Sequence, residues 1–153
     1  MKILFKSFLL FFIFINTSNA DLIKPNSNLK AFEVLMIQLN SLKNNNNPYK
    51  DAGIEQTWEF AHPINKVATG PLERFKQMIY SNSYKILISH ENNKTIILKE
   101  APNKFVYKVY VLSKDKKKYF YIWEIEKVEK EGKFKNCWMT TGVSDPIYVG
   151  EII

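Results

Sequence analysis

The segment from Glu59 to Phe75 constrains this chain more than any other, because the spacing of apolar residues changes across it. Upstream they recur at helical intervals, and downstream they alternate as in strands. Between the two lie His62-Pro63 and Thr69-Gly70-Pro71. Pro63 excludes His62 from the helical region, since the proline ring collides with the backbone of the preceding residue, so one helix is predicted to stop there. Pro71 fits the first position of a new helix, where no backbone donor is needed, and Glu73 then falls near the positive helix end. A helical half thus joins a sheet half within 153 residues, enough for one domain with its own core.

The helical half divides into three. Leu29, Phe32, Leu35, Met36, Leu39 and Leu42 share one stripe, ending near Lys43 before the Asn44–Asn47 run and Pro48. Asp51 is placed to cap a second helix through Phe60, with Ile54, Trp58 and Ala61 on one side. Leu72, Phe75, Met78 and Ile79 give the third. From Tyr84 the pattern predicts five antiparallel strands, near 84–89, 95–99, 105–112, 119–128 and 134–143, with short turns between them. Helices followed by an uninterrupted meander predict an α+β domain in which the helices cover one face of a bent sheet.

Residues 1–20 stand apart. Lys2 and Lys6 precede an unbroken apolar run from Phe8 to Ile15, and Ser18-Asn19-Ala20 offers the small residues that a signal peptidase requires. The run falls well short of the ~20 apolar residues that span a bilayer, so the reading is a cleaved signal peptide and no stable membrane anchor. The folded domain then covers 21–143, with 144–153 as a C-terminal tail. Without Lys2 and Lys6 the formal charge drops from +7 to +5. The remaining lysines are dispersed except at Lys114-Asp115-Lys116-Lys117-Lys118, which reads as a solvated turn or, failing that, a docking point on an anionic membrane surface. Nucleic acid is not expected as a partner, since Arg74 is the sole arginine available for specific phosphate contacts. Cys137 is the sole cysteine and reads as a small buried apolar residue.

Gly53-Ile54-Glu55, Phe60-Ala61, Thr69-Gly70-Pro71 with Arg74-Phe75, Tyr84, Leu87, His90 and Cys137-Trp138-Met139-Thr140 with Val143 together resemble a family. It is an uncharacterised one of cyanobacteria, other bacteria and plant plastids, a domain of unknown function similar to the nuclear-transport-factor-two-like, cystatin-like superfamily. The resemblance spans about 32–144. It implies a cone in which helices pack into a curved sheet with a cavity at the open end, and a periplasmic or thylakoid-lumen location for an exported form. The superfamily uses that cone for isomerases, dehydratases, dimeric protein-binding modules and ligand carriers, so the fold alone does not choose among them.

The residues themselves narrow the chemistry. His62 and His90 are 28 positions apart, without metal-ligand spacing, and no cofactor motif, phosphate loop or catalytic triad can be assembled. His62 reads as a loop residue bonded to backbone, and His90 as a satisfied histidine or, alternatively, a general base. Arg74 reads as one half of a structural ion pair or an anion ligand at the third helix. Glu124, between Trp123 and Ile125, has a raised pKa if it faces the cone and is ordinary if it faces water. A binding wall is expected from Phe75, Ile79, Trp123 and Trp138, with His90 and Glu124 as its polar members. The leading expectation is a binding module for a small apolar ligand or a protein, and the alternative is a small isomerase, dehydratase or hydrolase using Glu124, His90 or a tyrosine within the cone. The long strands are apolar on both faces, Phe105, Tyr107, Val109 and Val111 opposite Val106, Tyr110 and Leu112, from which a homodimer through the sheet is inferred.

Overall fold

A computed structural model describes residues 21–151; the segment read as a signal peptide, residues 1–20, lies outside the described residues. Helix α1, Ala31–Lys43, buries Val34, Leu35, Gln38, Leu39 and Leu42, and the Glu33 carboxylate accepts the Lys30 backbone N–H at 2.7 Å to close its first turn. Val34 takes the inward place expected of Phe32, which is 51% exposed. Positions 31, 34, 35, 38, 39 and 42 lie along one side of a 3.6-residue helix, and Phe32 falls at the edge of that stripe.

Helix α2, Ala52–Glu59, is capped by a residue from outside it. The fully buried Asn45 accepts the Ile54 N–H on Oδ1 at 3.0 Å and the Gly53 N–H on its carbonyl at 2.9 Å. Asp51, the expected cap, holds a left-handed backbone and turns its carboxylate to the Tyr80 hydroxyl, so it caps nothing. The connection beyond α2 is itself helical. Pro63 opens α3, Pro63–Thr69, and Nδ1 of His62 accepts the Ile64 N–H at 3.2 Å. Helix α4, Leu72–Ile79, follows Gly70-Pro71 as the sequence predicts and buries Phe75 and Ile79. The described residues therefore form four helices, one more than expected, because the connection after α2 is itself helical from Pro63.

The sheet is antiparallel and curved, with β1 Asn92–Ala101, β2 Lys104–Leu112, β3 Lys117–Lys127, β4 Trp138–Val143 and β5 Ile147–Glu151. The number of strands matches the expectation but the membership does not. Residues 84–89 contain a 3-10 turn, Lys85–Leu87, packed against α1, and β1 begins at Asn92, ahead of the expected start near 95. The last expected strand begins at Trp138, since 128–137 is a loop closed by Val128 N–H to the Cys137 carbonyl and Asn136 N–H to the Val128 carbonyl. The fifth strand is in the segment read as a tail.

Strands β4 and β5 share one flank of β3, against Trp123–Lys127 and Lys117–Phe120 respectively. Ser144 spans the break between them: its Oγ accepts the Ile122 N–H and its N–H donates to the Ile122 carbonyl, both at 2.9 Å. Register shifts between Glu124 and Ile125, Lys118 and Tyr119, and Ile97 and Lys99 add local twist, which bends the sheet around the helices. Tyr107, Val109, Val111, Tyr121, Trp123 and Ile125 face inward and form one core with the helices. Cys137 is buried in a small second cluster with Val128, Met139 and Phe134, and burial pushes its thiol pKa up.

Candidate functional site

All four helices converge on the inner face of β3 and β4, and their sides do not fully meet there. The gap is a cavity of about 240 Å³. Its apolar wall comes from Leu42 of α1, Phe75, Met78 and Ile79 of α4, Trp123 of β3 and Val143 of β4. Its polar wall is neutral: Gln38, Thr57, Asn65, Thr69 and Thr140. Tyr84 is the ionisable group of the lining; its hydroxyl donates to the Val143 carbonyl at 3.0 Å, and burial, then Asp145, raises its pKa.

The polar wall is wired in one direction. Trp123 Nε1–H donates to Thr140 Oγ1 at 3.1 Å, the Thr140 hydroxyl donates to Gln38 Oε1 at 2.6 Å, and Gln38 Nε2 donates to the Thr57 carbonyl at 3.1 Å. The Thr57 hydroxyl in turn donates to the Gly53 carbonyl at 2.8 Å. The Thr140 backbone is held as firmly. Its N–H donates to the Phe60 carbonyl and its carbonyl accepts the His62 N–H, both at 2.8 Å, and also Asn65 Nδ2 at 3.1 Å. Buried polar groups are tolerated only when paired, and these pairings join α1, α2, α3, β3 and β4 around the cavity.

Of the six residues expected at a site, Phe75, Ile79 and Trp123 line this cavity and the other three do not. Trp138 packs edge-on against Phe105 at 5.2 Å, with Lys127 over its ring. Glu124 points to the outer face, because Trp123 and Ile125 on either side of it are buried inward, and it pairs with Lys104 at 2.5 Å. His90 is buried under the 3-10 turn, with Nδ1–H donating to the Leu87 carbonyl at 2.8 Å and Nε2 accepting from Asn93 at 3.0 Å. That is the satisfied histidine rather than the general base. Gln38 and Thr140 were not anticipated, although a glutamine inside the apolar stripe of α1 was the available signal.

Arg74 is exposed and makes no ion pair among the described residues, while its neighbour Lys76 joins Glu55 at 3.0 Å and Glu73 at 3.5 Å. No group of three or more His, Cys, Asp or Glu among the described residues has the arrangement to hold a metal. A second cleft, about 350 Å³, opens between the start of α3 and the β3–β4 loop, lined by His62, Asn103, Glu126, Phe134 and the alternating charges of 129–133. We assign the site to the smaller cavity. Its lining residues are all buried or half-buried and several belong to the main core, whereas the larger cleft is walled by a solvated loop.

The histidines give a pH dependence. Burial lowers the pKa of both His90 and His62 from 6.5, so the unfolded chain binds protons that the folded chain refuses. Their contribution is fully present above about pH 6.5 and is lost as pH falls below it. Urea midpoints measured between neutral and mildly acidic pH are expected to fall, and replacing His90 with Asn is expected to shallow that decline; an equal decline in the variant would count against the burial of His90.

Comparison with family models, with curated proteins and with solved structures finds no match for this chain.

Proposed function

We propose that the chain is a binding module that takes a small, mostly apolar molecule of one or two rings into the cavity beneath its four helices. The observation that carries this reading is the wall itself: Phe75, Met78, Ile79 and Trp123 supply apolar contact, and a neutral hydrogen-bonded set supplies orientation. Its size supports the ligand class. An apolar cavity of about 150 Å³ already admits benzene, and drug-sized ligands need about 300–1,000 Å³. The reading stays within what the resemblance to cone-shaped binding proteins implies. The alternative, an isomerase, dehydratase or hydrolase, loses Glu124, which faces water, and His90, which is committed to Leu87 and Asn93, and keeps a tyrosine, Tyr84, whose hydroxyl already donates to the Val143 carbonyl.

Naphthalene is a suitable neutral probe. Titration is expected to change tryptophan emission and to saturate at one site, because Trp123 forms part of the wall. Val143→Phe, which projects bulk into the cavity, is expected to weaken binding by at least about ten-fold, the scale of one lost apolar side-chain contact set. Trp138→Phe is expected to leave it unchanged. Binding that survives Val143→Phe in a folded variant, or that depends on Trp138, would remove this reading.

A further inference from the structure

The outer face of the sheet carries a feature independent of the cavity. Register places Lys94 beside Tyr110 and Tyr110 beside Phe120, with Leu112 beside Lys118 one step further along the strands. The Lys108 ammonium lies 3.9 Å from the Phe120 ring centre and 5.2 Å from that of Tyr110, and the Lys118 ammonium lies 4.9 Å from Tyr110. The aromatic outer surface from which a homodimer was inferred is thus dressed by the chain's own lysines.

The charge is uneven along that face. Lys104, at the end near the β1–β2 turn, is neutralised by Glu124 at 2.5 Å and Glu126 at 2.8 Å. Lys94, Lys114 and Lys118, at the end near the β2–β3 turn, and Lys108, at the middle of β2, make no ion pair among the described residues. Beside them lies β5, where Ile147, Tyr148 and Val149 are each about half exposed. Successive strand residues point to opposite faces, so exposure of all three means that both faces of β5 extend past the helical layer. Uncompensated lysines, half-covered aromatic rings and exposed aliphatic groups within one end of the molecule form the combination that interfacial segments present to anionic lipid.

We propose that this end of the sheet docks on the surface of an anionic lipid bilayer. The lysines meet the headgroup phosphates, and Ile147, which lies beside Phe120 on the same outer face, enters the boundary between headgroups and acyl chains. Single-stranded nucleic acid fits less well, because bases bind by stacking on open aromatic faces, and Lys108 and Lys118 already occupy those of Tyr110 and Phe120.

The test is co-sedimentation of the full chain with vesicles of phosphatidylcholine alone and of phosphatidylcholine with about 30 mol % phosphatidylglycerol, a charge density in the range of cell membranes. Lys2, Lys6 and the apolar run at 8–15 are common to every sample, so the ratio of parent to variant reads the substituted residue alone. Partition is expected to be at least about ten-fold higher onto the anionic vesicles at low salt, and to lose that advantage at about 0.5 M salt. Lys94→Gln, Lys114→Gln and Lys118→Gln are each expected to lower it about five-fold. Ile147→Ser is expected to lower partition at both salt concentrations. Equal partition onto the two vesicle types, or lysine variants that bind like the parent, would overturn the proposal without reference to any variant's fold in the first case. Tighter binding to a single-stranded oligonucleotide than to anionic vesicles at equal phosphate concentration would overturn the choice of lipid.

Discussion

Gly53→Ala is expected to destabilise the domain by about 3 kcal/mol or more, although alanine is the better helix former by about 1 kcal/mol. Helix α2 crosses α1 with Gly53 at the contact. An added Cβ would lie 2.0 Å from the Ser41 carbonyl oxygen, 2.6 Å from its carbon and 2.8 Å from the Asn45 Cα. All three are backbone atoms, so no side chain can swing aside; the helices must separate. Separation would also pull the Gly53 and Ile54 N–H groups from Asn45, and would shift Thr57, which lines the cavity from α2. Gly142→Ala is the control, since a Cβ there meets nothing within 4 Å, and it is expected to stay within about 0.5 kcal/mol of the parent. Urea unfolding measures both. An unchanged or raised midpoint for Gly53→Ala would show that α1 and α2 do not approach so closely.

Why Gly53 was legible only as part of a motif, and not as a contact, is instructive about the rest. Local rules located what local chemistry decides. Pro71 opens α4, Asn44 ends α1, and Trp123 with Ile125 inward forces Glu124 outward once one of the three is fixed. The same proline rule, applied to Pro63 as well as Pro71, would have given α3. What failed depended on distant partners. Ile86-Leu87-Ile88 has strand composition, yet it forms a 3-10 turn because Leu87 fills the space beneath α1. Asp51 has the right identity and position for a cap, but Asn45 reaches the helix end first and leaves Asp51 to Tyr80. Strand β5 has only Ile147, Tyr148 and Val149 to announce it, and its place is set by the free flank of β3 beside Lys117–Phe120. The site divides in the same way. Large apolar residues on converging elements were readable, whereas the neutral wiring among Gln38, Thr57 and Thr140 joins positions up to 102 residues apart.

That wiring is expected to act as a unit. Thr140→Val keeps the shape of the side chain and removes the hydroxyl, which leaves Trp123 Nε1–H without its acceptor and Gln38 Oε1 without its donor. Each buried group left unpaired costs about 1–3 kcal/mol, so a loss of about 3 kcal/mol is expected. Gln38→Leu strips the Thr140 hydroxyl of its acceptor and the Thr57 carbonyl of its side-chain donor, with a similar expected loss. The double variant removes both partners of the central bond and so does not pay twice for it. Its loss is expected to fall short of the sum of the two single losses by about 1 kcal/mol or more, within the range measured for residues in one network. Trp123 lies at the head of the chain of bonds, so its emission should shift in Thr140→Val and much less in Gln38→Leu, where the indole keeps its acceptor. Losses that add, together with equal emission shifts in the two single variants, would show three independent side chains and no network holding the cavity wall.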